Sequence, residues 1–210
     1  MTPMLRPVLV VLSVLILSGC AFTKATLDVG LTPGDTGRGP LSSVPPMTVG
    51  VAELADKRPD TARIGYKKTG FGSKSADIVT ERPVSAIVRE AIATEFAANG
   101  HRVGEDADLL VSGTVTTFWF ELTPHFGSVE FAGTVGVDLV VSDARTGRPL
   151  VTRAYQGDYT EKTAMGGLEG TWKRVMNTAL ERMVRDLASD PRLLAALRDR
   201  GTTKAAAREP

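Results

Sequence analysis

Residues 129–142 decide the fold, and they read Val129-Glu130-Phe131-Ala132-Gly133-Thr134-Val135-Gly136-Val137-Asp138-Leu139-Val140-Val141-Ser142. Successive side chains of a strand point to opposite faces, so every second residue lies on the same side. The apolar positions fall on one face, whereas Glu130, Thr134 and Asp138 fall on the other. This alternation predicts a strand with one buried and one polar face.

Two further strands are expected on either side of this segment. Residues 109–122 are rich in Val, Thr and aromatic residues, and residues 149–160 follow the turn-rich connection 143–148. Short, turn-forming connections join antiparallel neighbours. The three segments therefore predict an antiparallel meander.

Two amphipathic helices are expected to cover this sheet. The first follows Pro83, a favourable first helical residue, and ends at Asn99-Gly100. Its apolar residues recur at spacings of three and four: Val84, Ile87, Val88, Ala91, Ile92 and Phe96. The second helix begins near Leu168, and a short third one follows Pro191 and ends at Gly201.

The element order predicts the fold class. A weak strand at 47–54 precedes the first helix, which gives the order β-α-β-β-β-α. We expect an α+β two-layer sandwich with a mainly antiparallel sheet and both helices on one face. The polar stretch 55–82 is expected to be a long loop, either functional or a disordered excursion.

The amino terminus carries an export and lipidation signal. An apolar run of ten residues, Val8 to Leu17, follows Arg6 and ends in Leu17-Ser18-Gly19-Cys20. A membrane-spanning helix needs about 20 residues, so the run is typical of a signal peptide. Cys20 is the only cysteine. Its place after small residues resembles the lipobox of bacterial lipoproteins, which implies acylation of Cys20 and loss of residues 1–19.

Composition predicts the domain boundaries. Residues 20–46 are rich in Gly and Pro, so we expect a flexible tether that places the domain about 25–30 Å from the lipid. Residues 47–200 are expected to form a single domain, and residues 201–210 a disordered tail. Cleavage removes only Arg6 from a formal charge of +1, so the charge becomes 25 − 1 − 24 = 0. A neutral domain offers no electrostatic basis for nucleic-acid binding.

Catalytic motifs are not recognisable in the sequence. His101 and His125 are the only histidines, and neither has ligand-type residues at metal-binding spacing. The chain has no Gly-x-Ser-x-Gly elbow, and Gly70 to Lys74 lacks the spacing of a phosphate-binding loop. We therefore expect no enzymatic activity, no metal and no cofactor.

Three consecutive aromatic residues suggest a binding surface. In a strand, Trp119 cannot share a face with Phe118 and Phe120, so at least one aromatic lies on the face away from the helices. Such a residue either contacts a partner or is covered by the long loop. In that loop Arg58, Lys67 and Lys68 are further candidates for partner binding, although Asp56, Arg58 and Asp60 are expected to form local salt bridges.

A family resemblance rests on scattered positions along the chain. It involves the lipobox, Val49-Gly50-Val51 followed by Asp56-Lys57-Arg58, Ile64-Gly65, the helix end at Ala98 to Val103, and Ala179-Leu180 with Asp190. This pattern resembles the YajG-like family of bacterial lipoproteins, which has no established activity.

The resemblance implies a class of protein and a compartment, and the binding function is a separate expectation from the residues. Ala21 and Phe22 follow Cys20 in place of the aspartate that retains enteric lipoproteins at the inner membrane. This implies an outer-membrane anchor with the domain facing the periplasm. We expect a non-enzymatic module that binds another envelope protein. The alternative is an accessory lipoprotein of an envelope transporter or lipid-handling system.

Overall fold

The computed structural model of the protein describes residues 23–32, 34–35, 37–164 and 169–206. The predicted signal peptide and the predicted lipidation site Cys20 lie outside these residues. Within the described residues, nine strands form one mixed sheet and three α-helices pack with it. The strands are β1 (Ala25–Leu27), β2 (Thr48–Val51), β3 (Ala55–Asp56), β4 (Gly65–Lys68), β5 (Lys74–Thr80), β6 (Arg102–Val103), β7 (Leu109–His125), β8 (Ser128–Asp143) and β9 (Pro149–Ala164). The helices are α1 (Val84–Ala98), α2 (Glu169–Ala188) and α3 (Pro191–Ala206), and a single 3₁₀ turn spans Pro40–Ser43.

The sheet is organised around β7. On one side β7 pairs with β8 along its whole length, and β8 pairs with β9, both antiparallel. This is the meander expected from the sequence. On its other side β7 carries three short parallel strands in succession, β2, β3 and β4. β5 pairs antiparallel with β4, while β1 is parallel to β5 and β6 is parallel to β2.

The predicted two-layer sandwich with a mainly antiparallel sheet is therefore wrong. Five of the pairings are parallel, and residues 55–82 contain the strands β3, β4 and β5 instead of a continuous loop. The order β-α-β-β-β-α omitted these strands and counted one helix fewer. α3 also continues through Gly201, the residue expected to end it.

The segment expected to be a flexible tether is packed against the domain in its described part. Its apolar side chains are buried: Ala25, Leu27, Val29, Leu31, Leu41 and Val44. Two backbone N–H groups are also tied down, because Gly30 donates to Asn177 Oδ1 at 3.2 Å and Gly39 donates to Asn99 Oδ1 at 2.7 Å. The apolar residues of this segment thus pack into the core, although its high content of Gly and Pro predicted a flexible tether.

The helices cover one face of the meander. The apolar stripe of α1 is buried as expected, from Val84 to Phe96. α2 approaches so closely that a Cβ at Gly133 would lie 3.1 Å from Val175 O, and one at Gly157 would overlap the backbone of Ala179 and Met183. Glycine at these two positions lets the helix backbone contact the sheet directly.

The outer edge of β9 is held by side chains of α2. Within the described chain β9 pairs with β8 alone. The N–H of Gln156 donates to Asp186 Oδ2 at 3.3 Å, and Arg182 donates to the carbonyl oxygen of Asp158 at 2.7 Å. Helix side chains therefore take the place of a further strand at the middle of this edge.

Candidate binding surface

A β-bulge in β7 determines which residues face away from the helices. The register shifts between Val115 and Thr117, so one extra residue is accommodated there. Before the bulge Val111 and Val115 are buried, and after it Phe118 and Phe120 are buried. The bulge thus changes the parity of the strand. As a result, the large apolar side chains before and after the bulge all face the core, and the Trp119 side chain lies on the opposite face of the sheet.

This opposite side is the open face of the sheet. On β9 every second side chain is exposed to solvent: Thr152, Ala154, Gln156, Asp158, Thr160 and Lys162. Trp119 lies opposite Thr134, and Thr134 lies opposite Asp158, so the three form one row across the meander. Five of these six side chains are polar, and none is aromatic, so Trp119 differs from its surroundings on this face.

Trp119 belongs to a compact cluster that we call the Trp119 patch, consisting of Tyr66, Lys68, Lys74, Trp119 and Glu121. The rings of Tyr66 and Trp119 meet edge to face with centroids 5.8 Å apart. The Trp119 Nε1–H donates to Glu121 Oε2 at 3.1 Å, and Lys68 forms an ion pair with the same carboxylate. Lys74 Nζ lies 3.9 Å from the centre of the Tyr66 ring. These contacts hold the aromatic rings in fixed positions.

The patch carries a small positive charge. Burial acts to raise the pKa of Glu121, but hydrogen bonds from Lys68 and Trp119 outweigh it, so the pKa of Glu121 is lowered overall. The carboxylate is therefore ionised at neutral pH and balances one of the two lysines. Aromatic residues are enriched at protein-binding sites, where Trp and Tyr provide much of the binding energy.

Arg58, a candidate from the sequence, is buried and has a structural role. Its side chain contacts both carboxylate oxygens of Asp56, at 2.9 and 2.8 Å, as in a bidentate pair. It also donates to the carbonyl oxygens of Arg63 at 2.9 Å and Thr61 at 3.3 Å. The predicted local salt bridge with Asp56 is present, and only 7% of Arg58 is exposed. Arg58 therefore fixes residues 57–63 and lines a cleft of about 360 Å³ beside Trp119.

The other sequence candidates separate into two groups. Phe118 and Phe120 are core residues, and Phe120 packs 5.5 Å from the ring of Trp172. Trp119 and Lys68 come together in the patch, while Lys67 is a half-buried residue of β4. Sequence reasoning missed Tyr66, Lys74 and Glu121. β4 reads Gly65-Tyr66-Lys67-Lys68, which has no apolar–polar alternation, so no local pattern indicated a strand there.

Buried titratable groups elsewhere have structural partners. The Tyr155 hydroxyl donates to Asp190 Oδ2 at 2.8 Å, and burial, together with Asp190, strongly raises the pKa of Tyr155. His101 lies between the Met47 N–H and the Leu41 carbonyl oxygen, and burial lowers its pKa. Burial likewise raises the pKa of Glu95, which accepts a hydrogen bond from Asn99. Among the described residues, no group of three or more His, Cys, Asp or Glu side chains is placed to hold a metal ion.

A second concave region lies between α1 and the β2–β6 edge. This groove has a volume of about 720 Å³ and is lined largely by small and apolar residues. Val103 and Leu110, two of the large apolar residues that are exposed, lie in it. Among the helices described, none is both long and apolar enough to cross a membrane.

Within the part of the chain that the structure describes, helices cover one face of the mixed sheet and leave the other face open. The chain belongs to a family of uncharacterised lipoproteins, whose model matches residues 48–198. The prediction of an uncharacterised bacterial lipoprotein family is thereby confirmed. No curated protein matches the sequence significantly.

Three solved structures are similar to this chain, and one of them has a TM-score above 0.5. A protein of Xanthomonas campestris is similar with a TM-score of 0.56 at 11% identity, over 82% of this chain and 96% of that one. A protein of Caulobacter crescentus described as a lipoprotein gives 0.38 at 15% identity, over 81% and 96% of the two chains. A minor lipoprotein of Acinetobacter baumannii gives 0.36 at 12% identity, over 71% and 91%. The Xanthomonas likeness supports the fold alone.

Proposed function

We propose that this protein is a lipid-anchored module of the bacterial cell envelope that binds another envelope protein through the Trp119 patch. Its role is binding and not catalysis. Cys20 carries the lipid, and the domain faces the periplasm from the outer membrane. Membership in a lipoprotein family and the lipobox Leu17-Ser18-Gly19-Cys20 support the anchor. Ala21 and Phe22 after the cysteine support the outer membrane.

The observation that carries the binding role is the Trp119 patch itself. The bulge in β7 turns Trp119 out of the core, where it packs against Tyr66 on a face of mostly small polar residues. An aromatic pair ordered by Glu121, Lys68 and Lys74 loses little conformational freedom when a partner covers it. The neighbouring cleft gives the partner a depression to enter.

Crosslinking in intact cells tests the patch. A photo-reactive residue replaces Thr134, which lies directly opposite Trp119 on β8. The matched control carries it at Thr152, exposed on the same face but near the other end of β9. We expect a discrete crosslinked protein from position 134 that is lost when Trp119→Ala is added. Equal crosslinks from both positions, or a crosslink that survives Trp119→Ala in a folded variant, would contradict the proposal.

Labelling with radioactive palmitate tests the anchor separately. We expect the wild-type protein to incorporate label and Cys20→Ser to incorporate none. Separation of inner and outer membranes then tests the location. Label that persists in Cys20→Ser, or recovery with the inner membrane, would contradict the corresponding part of the proposal.

The groove beside α1 favours lipid handling as the second candidate function. Its exposed Val103 and Leu110 and its volume of about 720 Å³ suit an acyl chain. Native mass spectrometry of the purified lipoprotein would then show an additional bound lipid that Leu110→Glu removes and Trp119→Ala retains. A protein without an adduct under these conditions would contradict this candidate.

A further inference from the structure

Two phenylalanines at hairpin tips are completely exposed. Phe71 lies in the turn between β4 and β5, and Phe126 lies in the turn between β7 and β8. Their relative exposures are 102% and 108%, so neither ring is covered by the rest of the described chain. Large apolar side chains that protrude in this way from two separate turns indicate a contact surface.

The two tips lie at the same end of the sheet. β4 and β7 are parallel, and Gly65 pairs with Phe120. Phe71 is six residues after Gly65, and Phe126 is six residues after Phe120. The paired residues Gly65 and Phe120 lie at the same level of the sheet. Both strands therefore run about equally far beyond this level before Phe71 and Phe126 are reached. The other turn of the meander, around Arg145, lies at the opposite end, because Leu109 at the start of β7 pairs with Asp143.

The amino-terminal segment points to this same end. Ala25 of β1 pairs with Ile78, which also pairs with Gly65, so Ala25 lies at the common level. β1 is parallel to β5, and β5 runs away from the tips, so the residues before Ala25 lead toward them. Cys20 precedes Ala25 by five residues, a reach of at most about 16–18 Å. The five residue-to-residue steps from Phe120 to His125 span about the same distance.

We propose that the two tips form a membrane-contacting edge, which places Phe71 and Phe126 in the interface of the bilayer that holds the acyl chains of Cys20. The inference rests on the proposed lipid anchor. The reach from Ala25 to Cys20 is about equal to the distance from Ala25's level in the sheet to the two tips. A lipid on Cys20 therefore cannot lie much beyond the tips, and a membrane that holds this lipid comes close to both phenylalanines. The bilayer supplies an apolar phase at that level, and Phe side chains enter the boundary between headgroups and acyl chains in the same way as those of interfacial segments.

The charges around the tips agree with a phospholipid surface. Lys24 precedes β1 and Lys74 begins β5, and both are exposed. Lys162 near the end of β9 is exposed and lies opposite Glu130. Lysines beside exposed rings suit anionic headgroups, to which basic residues are attracted within a short distance of the membrane.

Site-directed fluorescence on the full lipoprotein tests this edge. Cys20 is the only native cysteine, so Phe71→Cys or Phe126→Cys provides a single reactive thiol when Cys20 is acylated. Arg145→Cys, in the exposed turn at the opposite end, is the matched control. Each variant is purified from membranes, labelled with an environment-sensitive dye, and reconstituted into vesicles of phosphatidylethanolamine and phosphatidylglycerol with or without spin-labelled lipid.

We expect blue-shifted emission and several-fold stronger quenching by the spin-labelled lipid at positions 71 and 126 than at position 145. Equal, weak quenching at all three positions would overturn the proposal and leave the anchor intact, provided that the protein floats with the vesicles. A blue shift without lipid quenching would show that a protein surface covers the tips, which also overturns it. Dye uptake by the wild-type protein would reveal an unmodified Cys20 and overturn the anchor, and with it this inference.

Discussion

The two faces of the β7–β9 meander belong to the same strands, but their side chains have different surroundings. Those of one face pack against helices, and those of the other face lie at the surface. On the covered face Phe120, Phe131 and Trp172 form a buried aromatic group, and α2 touches the sheet backbone at Gly157. On the open face Trp119 and Tyr66 lie among small polar residues. The contacts on the covered face contribute most to stability, and those on the open face contribute less and leave an ordered surface. Substitutions on the two faces should therefore have different effects.

Gly157→Val should have the largest effect. A Cβ at this position would overlap the carbonyl oxygen of Ala179 and the nitrogen of Met183, and helix backbone cannot move aside without losing hydrogen bonds. We expect the free energy of unfolding to fall by more than about 4 kcal/mol, the extreme range for single substitutions. Urea denaturation measures it. Gly170→Ala in α2 is the control, because a Cβ there meets nothing within 4 Å. A Gly157 variant as stable as this control would show that α2 does not contact β9.

Phe120→Ala and Trp119→Ala compare the two faces at adjacent positions. Phe120 is fully buried against Trp172 and Phe131, so its truncation should cost about 3–5 kcal/mol. Trp119 is only partly buried, and we expect a loss below about 2 kcal/mol, mainly from its contact with Tyr66. Thermal unfolding followed by circular dichroism gives both values. If Trp119→Ala were the more damaging, the assignment of the faces would be wrong.

Asp190→Asn should change how stability depends on pH. Burial acts to raise the pKa of Asp190, but the Arg192 N–H, the Tyr155 hydroxyl and Arg153 outweigh it and lower that pKa. Because the folded-state pKa is lowered, its stabilising contribution is present above the unfolded value of about 3.9 and is lost as pH falls through the folded pKa.

The variant should be about 1–3 kcal/mol less stable than wild type at pH 7, since a charged hydrogen-bond partner is lost. The difference should shrink when urea denaturation is repeated below pH 4. Asp158→Asn on the open face is the control, because its bonds to Thr134 and Gln156 are exposed. A deficit in Asp190→Asn that stays constant across this range would contradict the role of the Asp190 charge.

Thr134→Ala should have the smallest effect. Its hydroxyl donates to Asp158 Oδ1 at 2.8 Å on the exposed face, where water can replace the bond. We expect a change within about 0.5 kcal/mol, as for most surface substitutions. A loss comparable with that of Phe120→Ala would mean that the open face contributes to the core.

The sequence predicts those parts of the fold that depend on local periodicity. The stripe from Val84 to Phe96 and the alternation from Phe131 to Val141 each bury one face, and both elements are present as expected. β4 and β5 were missed because few of their residues are buried, with Gly65 and Ile78 the exceptions. The parallel pairing of β2, β3 and β4 with β7 depends on contacts between distant segments, which no local pattern encodes.

The candidate surface was predictable only in part. Alternation alone placed Trp119 on the face opposite to Phe118 and Phe120. Arg58 was a candidate for partner binding from the polar stretch 55–82, with a local salt bridge as the expected alternative. The structure shows the salt bridge, because the carbonyl oxygens of Thr61 and Arg63 and the Asp56 carboxylate surround the Arg58 side chain. Tyr66 contacts Trp119, and Lys74 contacts Tyr66, only because the β4–β5 hairpin brings them there, and the sequence did not indicate this hairpin.

The side chains that cap β9 have a consequence for the protein at high local density. Molecules confined to a bilayer meet far more often than molecules in solution. A sixteen-residue edge strand with free backbone groups could then pair with the same strand of another copy. Asp186 and Arg182 already bond the N–H of Gln156 and the carbonyl oxygen of Asp158 in the middle of this edge. Another copy would therefore have to displace α2 before it could pair with β9. Crowded copies can thus remain separate without an additional strand to shield them.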